Sequence, residues 1–135
     1  MFKSIDVLTS GLIAQRERMT AIADNLANLN TTRDADGKLS PFRRRYVTFA
    51  AANNAQTGAP AGVTYEVHID NTSPPRRVYQ PGHPDADKDG YVSYPNIDMM
   101  TEFVNALEAS RAYQADLVAL DMEKQFANLG LKILG

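Results

Sequence analysis

The chain has no cysteine among its 135 residues, which excludes disulfides, thiolate catalysis and cysteine-based metal sites, and leaves the fold indifferent to the redox state of its compartment. It has no run of about 18 apolar residues to span a bilayer. Lys3, Asp6, Gln15 and Arg16 interrupt the first turns, so a cleavable secretory signal is not expected and any export takes another route. Histidine is scarce. His68 and His83 are the only two, and neither stands with a serine or second ligand at a nucleophile or metal-site spacing. A phosphate-cradling glycine loop is missing, as is a carboxylate pair at a spacing that signals acid–base work. No enzyme, no cofactor and no resident metal are therefore expected. An excess of one charge is lacking as well: the formal net charge of -2 and a pI near 5.6 give no electrostatic reason to expect nucleic acid or direct membrane insertion.

Proline is absent before Pro41 and after Pro95, and all 7 prolines lie between them. Two proline-free ends bracketing a proline-rich middle predict terminal helices around a different kind of insert. From Met99 to Leu134 the only glycine is Gly130, and two series spaced by sevens run through this stretch. One holds Ala106, Tyr113, Leu120, Ala127 and Leu134; the other holds Phe103, Ser110, Leu117, Lys124 and Leu131. Glu108, Arg111, Asp116, Asp121, Glu123 and Lys132 fall outside both series. That is a heptad seam with a solvated face opposite, and a seam needs a partner. The N-terminal end offers one, with Ile5, Leu12, Met19 and Leu26 in one series and Leu8, Gln15, Ile22 and Leu29 in the other. This first helix is expected from about residue 4 to about residue 27, with Gly11 as an interior weak point. Beyond it, Asn25, Asn28, Asn30, Thr31 and Thr32 suit either a capped helix end or interhelical hydrogen bonds.

The middle reads as loops and short strands. Asp34, Asp36, Gly37 and Pro41 have turn composition. Residues 42–51, with Phe42, Tyr46, Val47 and Phe49, predict a strand or extended arm in which Arg43, Arg44 and Arg45 form a solvated face. Residues 63–69 alternate strictly, placing Val63, Tyr65, Val67 and Ile69 on an expected buried face and His68 on the wet one, with Arg76–Tyr79 as the expected hairpin partner. The expected fold is mainly α with a small β insert: residues 1–32 and 97–135 form long helices packing as a coiled-coil-like pair, and 33–96 form the insert.

Asp85-Ala86-Asp87-Lys88-Asp89-Gly90 matches the first half of a calcium-binding EF-hand loop. The second half departs from it, because Asn96 stands where the bidentate glutamate belongs and Pro84 and Pro95 occupy the flanks where helices belong. A polar turn is the expected reading, and a calcium-regulated helical binding module using Asp85, Asp87 and Asp89 is the alternative.

Ile22-Ala23-Asp24-Asn25-Leu26-Ala27-Asn28-Leu29-Asn30-Thr31 resembles the asparagine-rich N-terminal signature of bacterial flagellar rod, hook and hook-associated proteins. The run from Tyr79-Gln80-Pro81-Gly82-His83-Pro84 through Asp89-Gly90-Tyr91 to Tyr94-Pro95-Asn96 resembles the FlgC family of proximal rod proteins. Glu102-Phe103-Val104 with Ala109-Ser110-Arg111-Ala112-Tyr113-Gln114-Ala115 resembles that family's C-terminal signature. Phe103, Asp116 and Asp24 depart from the family's usual residues, so contacts at those places are expected to differ in detail.

The resemblance implies a structural subunit of the proximal rod of the flagellar basal body. Its terminal helices would polymerise with copies of itself and with other flagellar rod proteins into a hollow, torque-transmitting shaft in the periplasm-spanning part of the envelope. It also implies delivery by the flagellar export apparatus without signal cleavage. The expected subunit-interface residues are Ile5, Leu12, Met19, Ile22, Asn25, Leu26, Asn28, Thr31, Phe103, Arg111, Tyr113, Leu117 and Leu120, with Asn25, Asn28 and Thr31 as interhelical hydrogen-bonders. Long apolar stripes on both ends, with little insert to cover them, predict folding coupled to docking.

Overall fold

The computed structural model describes residues 2–135. Helix α1 runs over Phe2–Ala27 and continues through Gly11 without a break. It stops where the asparagine-rich stretch turns its side chains onto the helix end: Asn28 Nδ2 donates to the Asp24 carbonyl at 2.8 Å, and Thr31 Oγ1 donates to Asn28 Oδ1 at 3.0 Å. Such local side-chain bonds compete with continued helix and fix the turn that follows it. Helix α2 spans Met99–Leu134 and starts at an N-cap, Asp98, whose carboxylate accepts from the amides of Met100 and Thr101.

Four strands lie between the helices. β1 (Arg45–Asn53) pairs antiparallel with β2 (Pro60–Ile69), with Val47 opposite Val67 and Phe49 opposite Tyr65. β3 (Arg76–Tyr79) pairs antiparallel with β4 (Tyr91–Tyr94). The expected hairpin between β2 and β3 is thus corrected. Past Ile69 the Asp70 carboxylate accepts from the amides of Thr72 and Ser73, each at 3.0 Å, and this tight turn into Pro74 and Pro75 leads the chain away from β2. The expected burial of the alternating face is corrected too, since Tyr65, Val67 and Ile69 are each more than two-fifths exposed. A two-stranded ribbon has no third strand or second sheet to cover it. At Gly62 β2 passes directly against α1: its φ of 119° suits glycine, a side chain there would strike Ser10, and the Val63 amide donates to Ser10 Oγ at 2.9 Å.

The two helices pack antiparallel. Asn25 meets Glu102, Arg18 pairs with Glu108 at 3.2 Å, and Gly11 lies against the carboxylate of Asp116. The covered side of α2 is made mostly of small or polar residues, with Tyr113 and Leu120 as its large, partly covered members. Glu102 and Ala109 are buried, and Asn105, Ala112, Asp116, Ala119 and Glu123 are partly covered. Large apolar side chains point the other way: Met100, Val104, Leu107, Val118 and Leu129 are each more than half exposed. The buried apolar set is small, namely Ala14, Ala21 and Ile22 on α1, Val92 and Tyr94 on β4, Ile97, and Ala109 on α2. The accessible surface is 9263 Å², against roughly 7000 Å² for a compact monomer of this mass.

Burial of the Asp116 carboxyl between the helices pushes its pKa up. A raised folded-state pKa means that stability is lost as pH rises through it, so at neutral pH the ionised form works against the helix pair. We predict that Asp116→Asn raises the melting temperature at pH 7. The gain over the unaltered chain should shrink as pH falls into the ordinary carboxylate range, where Asp116 itself becomes neutral; scanning calorimetry at several pH values measures this.

Candidate functional site

The best-buried polar groups form one cluster where α1, the lead-in to β1 and the first turn of α2 meet. Asn25 is 0% exposed and Glu102 is 1% exposed. Asn25 Oδ1 accepts from the Arg45 amide at 2.8 Å, and its Nδ2 donates both to the Arg45 carbonyl at 2.7 Å and to Glu102 Oε2 at 3.2 Å. One side-chain amide therefore serves both backbone groups of Arg45, as a neighbouring strand would. Arg44 Nε donates to the other Glu102 oxygen at 2.6 Å, and Arg45 Nη1 pairs with Asp24 Oδ2 at 2.8 Å. Arg44 and Arg45 thus leave the solvated face expected of the arginine run and become ties. Glu102 is a functional residue that the heptad reading missed. Its signal was the parallel series Glu102, Ala109, Asp116 and Glu123, one position away from the apolar seam.

The predicted interface residues fall into three groups. Ile22 and Asn25 are buried within the chain, and Asn28 and Thr31 bond inside the α1 end turn instead of across helices. Ile5, Leu12, Met19, Leu26, Tyr113 and Leu120 are partly covered. Phe103, Leu117 and Arg111 face outward. The structure therefore brings together Asn25 and α2, and leaves the outward group without cover in the single chain.

The acidic loop is a strap. Asp85 takes the Thr32 hydroxyl at 2.5 Å and the Arg33 guanidinium, with Nε at 2.8 Å. Asp87 Oδ1 accepts from the amides of Asp89 and Tyr91, both at 2.9 Å, and Oδ2 takes Arg77 at 2.5 Å. Gly90 closes the turn at φ 84°, packed so tightly on Tyr79 and Pro81 that a side chain would collide. The Thr32 hydroxyl and the Arg33 guanidinium hold the Asp85 pKa down, and the Tyr91 amide and Arg77 do so for Asp87. Among the described residues, no three acidic or histidine side chains converge on a metal position. Of the three carboxylates of the calcium alternative, Asp85 and Asp87 already have arginines as partners. His83 accepts from the Asp85 amide through Nδ1 at 3.0 Å and packs edge-on to Tyr94, a turn role; His68 stacks on Tyr46.

A helix pair fixed to a strapped β insert, with large apolar side chains exposed along α2, has the make-up of a structural subunit. The comparisons give the same class. The family description "Flagella basal body rod protein" matches residues 5–33, and "Flagellar basal body rod FlgEFG protein C-terminal" matches residues 88–125. The flagellar basal-body rod protein FlgC of Escherichia coli O157:H7 is 40% identical over 88% of this chain and 87% of its own length. That of Borreliella burgdorferi is 35% identical over 99% of this chain and 97% of its own, and that of Bacillus subtilis is 34% identical over 98% and 97%. The chain belongs to the FlgC family of flagellar basal-body rod proteins.

Two outcomes follow from these contacts. Glu102→Ala is expected to lower stability by about 3 kcal/mol, because it leaves Arg44 and Asn25 without their buried partner; the urea midpoint of the purified chain measures this. The depressed pKa values of Asp85 and Asp87 mean that the strap is intact above the ordinary carboxylate range, near pH 4, and is lost as pH falls through the lowered values. Amide protection at Asp89 and Tyr91 should fall at acid pH, and Asp87→Asn should remove that dependence.

Proposed function

We propose that this rod subunit works by packing, with no catalytic step. Its terminal helices dock on copies of the same chain and on other rod proteins, building the proximal part of a hollow shaft that transmits torque and passes later export substrates. It lies in the periplasm-spanning part of the envelope, reached through the flagellar export apparatus without cleavage of a signal. The observation that carries this reading is the outward face of α2: five large apolar side chains on one stripe, each more than half exposed, in a chain with roughly 2000 Å² more surface than a compact monomer needs. A surplus of that size equals what a stable protein–protein interface buries. Within the predicted set, Phe103, Leu117 and Arg111 are the residues in position to touch neighbours, while Ile22 and Asn25 hold the frame that presents them.

Leu107→Asp combined with Val118→Asp tests this directly, because both side chains are outward and contribute little to the single chain's fold. The purified double variant should keep its helical circular dichroism. Its incorporation into basal bodies should fall by more than about tenfold, since a carboxylate in a packed apolar contact costs several kcal/mol. Normal basal bodies carrying the variant would remove α2's outward face from the assembly.

A further inference from the structure

The two long helices are not held alike. α1 packs against β1, β2 and α2, whereas among the described residues α2 packs against α1 alone. The β1–β2 ribbon is fastened to α1 at both ends, where Asn25 Oδ1 takes the Arg45 amide and Ser10 Oγ takes the Val63 amide. α2 is fastened at its first turn through Glu102. The Arg18–Glu108 pair beyond it is mostly exposed on the Glu108 side and adds little. α1 and the ribbon are therefore one body, and α2 is an arm that leaves it at the Glu102 corner.

Further along the arm lies a polar contact that is incomplete. Gln15 is the one polar member of the α1 heptad series, and among the described residues its Oε1 is the one buried side-chain oxygen or nitrogen without a hydrogen-bond partner. The antiparallel register, with Arg18 at Glu108 and Gly11 at Asp116, sets Asp116 about one turn from Gln15. Helical side chains lie back over the turn N-terminal to their own Cα, so Gln15 reaches towards the level of Gly11 while Asp116, on the antiparallel helix, reaches towards Gln15. Glycine leaves the space, since a side chain on Gly11 would meet Asp116 Oδ2 at 3.0 Å. Ionised, Asp116 sets further acceptors beside an acceptor; protonated, it offers the missing O–H.

We propose that α2 is a proton-latched arm. Protonated Asp116 donates to Gln15 Oε1 and holds α2 along α1; ionisation removes the donor and frees α2 outward from the corner, while α1 and the ribbon stay joined. Other charges stand back from the latch. On α1 the nearest interface cation is Arg18, about two turns from Gly11 and paired with Glu108. On α2, Tyr113 lies about one turn away and Glu123 about two turns in the other direction, and no strand packs on this helix. Burial alone raises the Asp116 pKa. Closure is thus fully present below the ordinary carboxylate range and is lost as pH rises through the raised value.

The absence of cysteine allows paired spin labels on the full-length chain. Thr9→Cys with Gln125→Cys reads the arm, and Thr9→Cys with Ala51→Cys reads the ribbon against α1; all three positions are exposed. Distances measured by double electron–electron resonance should be broad for the arm pair at about pH 7.5 and narrow at about pH 4.5, and narrow for the ribbon pair at both. An arm distribution that does not change with pH overturns the latch, and joint broadening of both pairs overturns the separate arm. Asp116→Asn, whose amide can donate, should populate the narrow arm distance at both pH values. Asp116→Ala removes the charge without supplying a donor and should populate it about threefold less. Adding Gln15→Met to each should close that gap; equal populations with Gln15 present overturn its role as the acceptor.

Discussion

The buried carboxylate of Glu102 is the constraint on which the other elements depend. A charge at 1% exposure is tolerated only when its oxygens are satisfied, and here each oxygen has a donor, Arg44 on one side and Asn25 on the other. Those donors come from different parts of the chain. Satisfying Glu102 therefore fixes the end of α1, the start of β1 and the first turn of α2 in one geometry. Asn25 extends the tie by holding both backbone groups of Arg45, which sets where β1 begins and hence the register of the β1–β2 ribbon. A hydrophobic cluster at this corner could be equally stable. It would not specify one orientation of three elements in the same way.

From that corner the helices run side by side on their small residues. Ala14, Ala21, Ala109 and Gly11 allow the backbones to approach closely, at the expense of apolar area buried in the pair. Asp116, set against Gly11 with its pKa raised by burial, further weakens the pairing at neutral pH. The large side chains that a self-sufficient coiled coil would place in its seam are turned outward on α2. The molecule thus has a firm corner and strapped turns at one end of its helices and a weakly held, apolar surface along the rest. That division suits a subunit whose final ordering is completed by neighbours.

Much of this was legible in the residues. Confinement of proline to 41–95 and the heptad spacing of Ile5, Leu12, Met19 and Leu26 announced two long helices, and the quoted signatures announced the family. The rotation of α2 was legible only in part: Ala106, Tyr113, Leu120 and Ala127 of the expected seam are partly covered, whereas Phe103 and Leu117 are exposed. A heptad count gives a period but not which face meets which partner, and the alanine-rich face with Glu102 won over the Phe103–Leu117 series because the buried polar tie sets the rotation. Strand pairing was missed for a related reason: alternation identifies residues 63–69 as a strand without naming its partner, which here lies earlier in the chain. The roles of Asn28 and Thr31 followed from the capping option that their chemistry already contained.

On the proposed packing, neighbouring subunits complete the order of the helices beyond the Glu102 corner. Amide hydrogen exchange along α2, compared between the isolated full-length chain and the same chain in basal bodies, tests it most directly. The account predicts that in the isolated chain protection is strongest near Glu102, falls steadily towards residues 117–134, and becomes uniformly high after incorporation. Uniformly high protection along the whole of α2 in a confirmed monomer would contradict it.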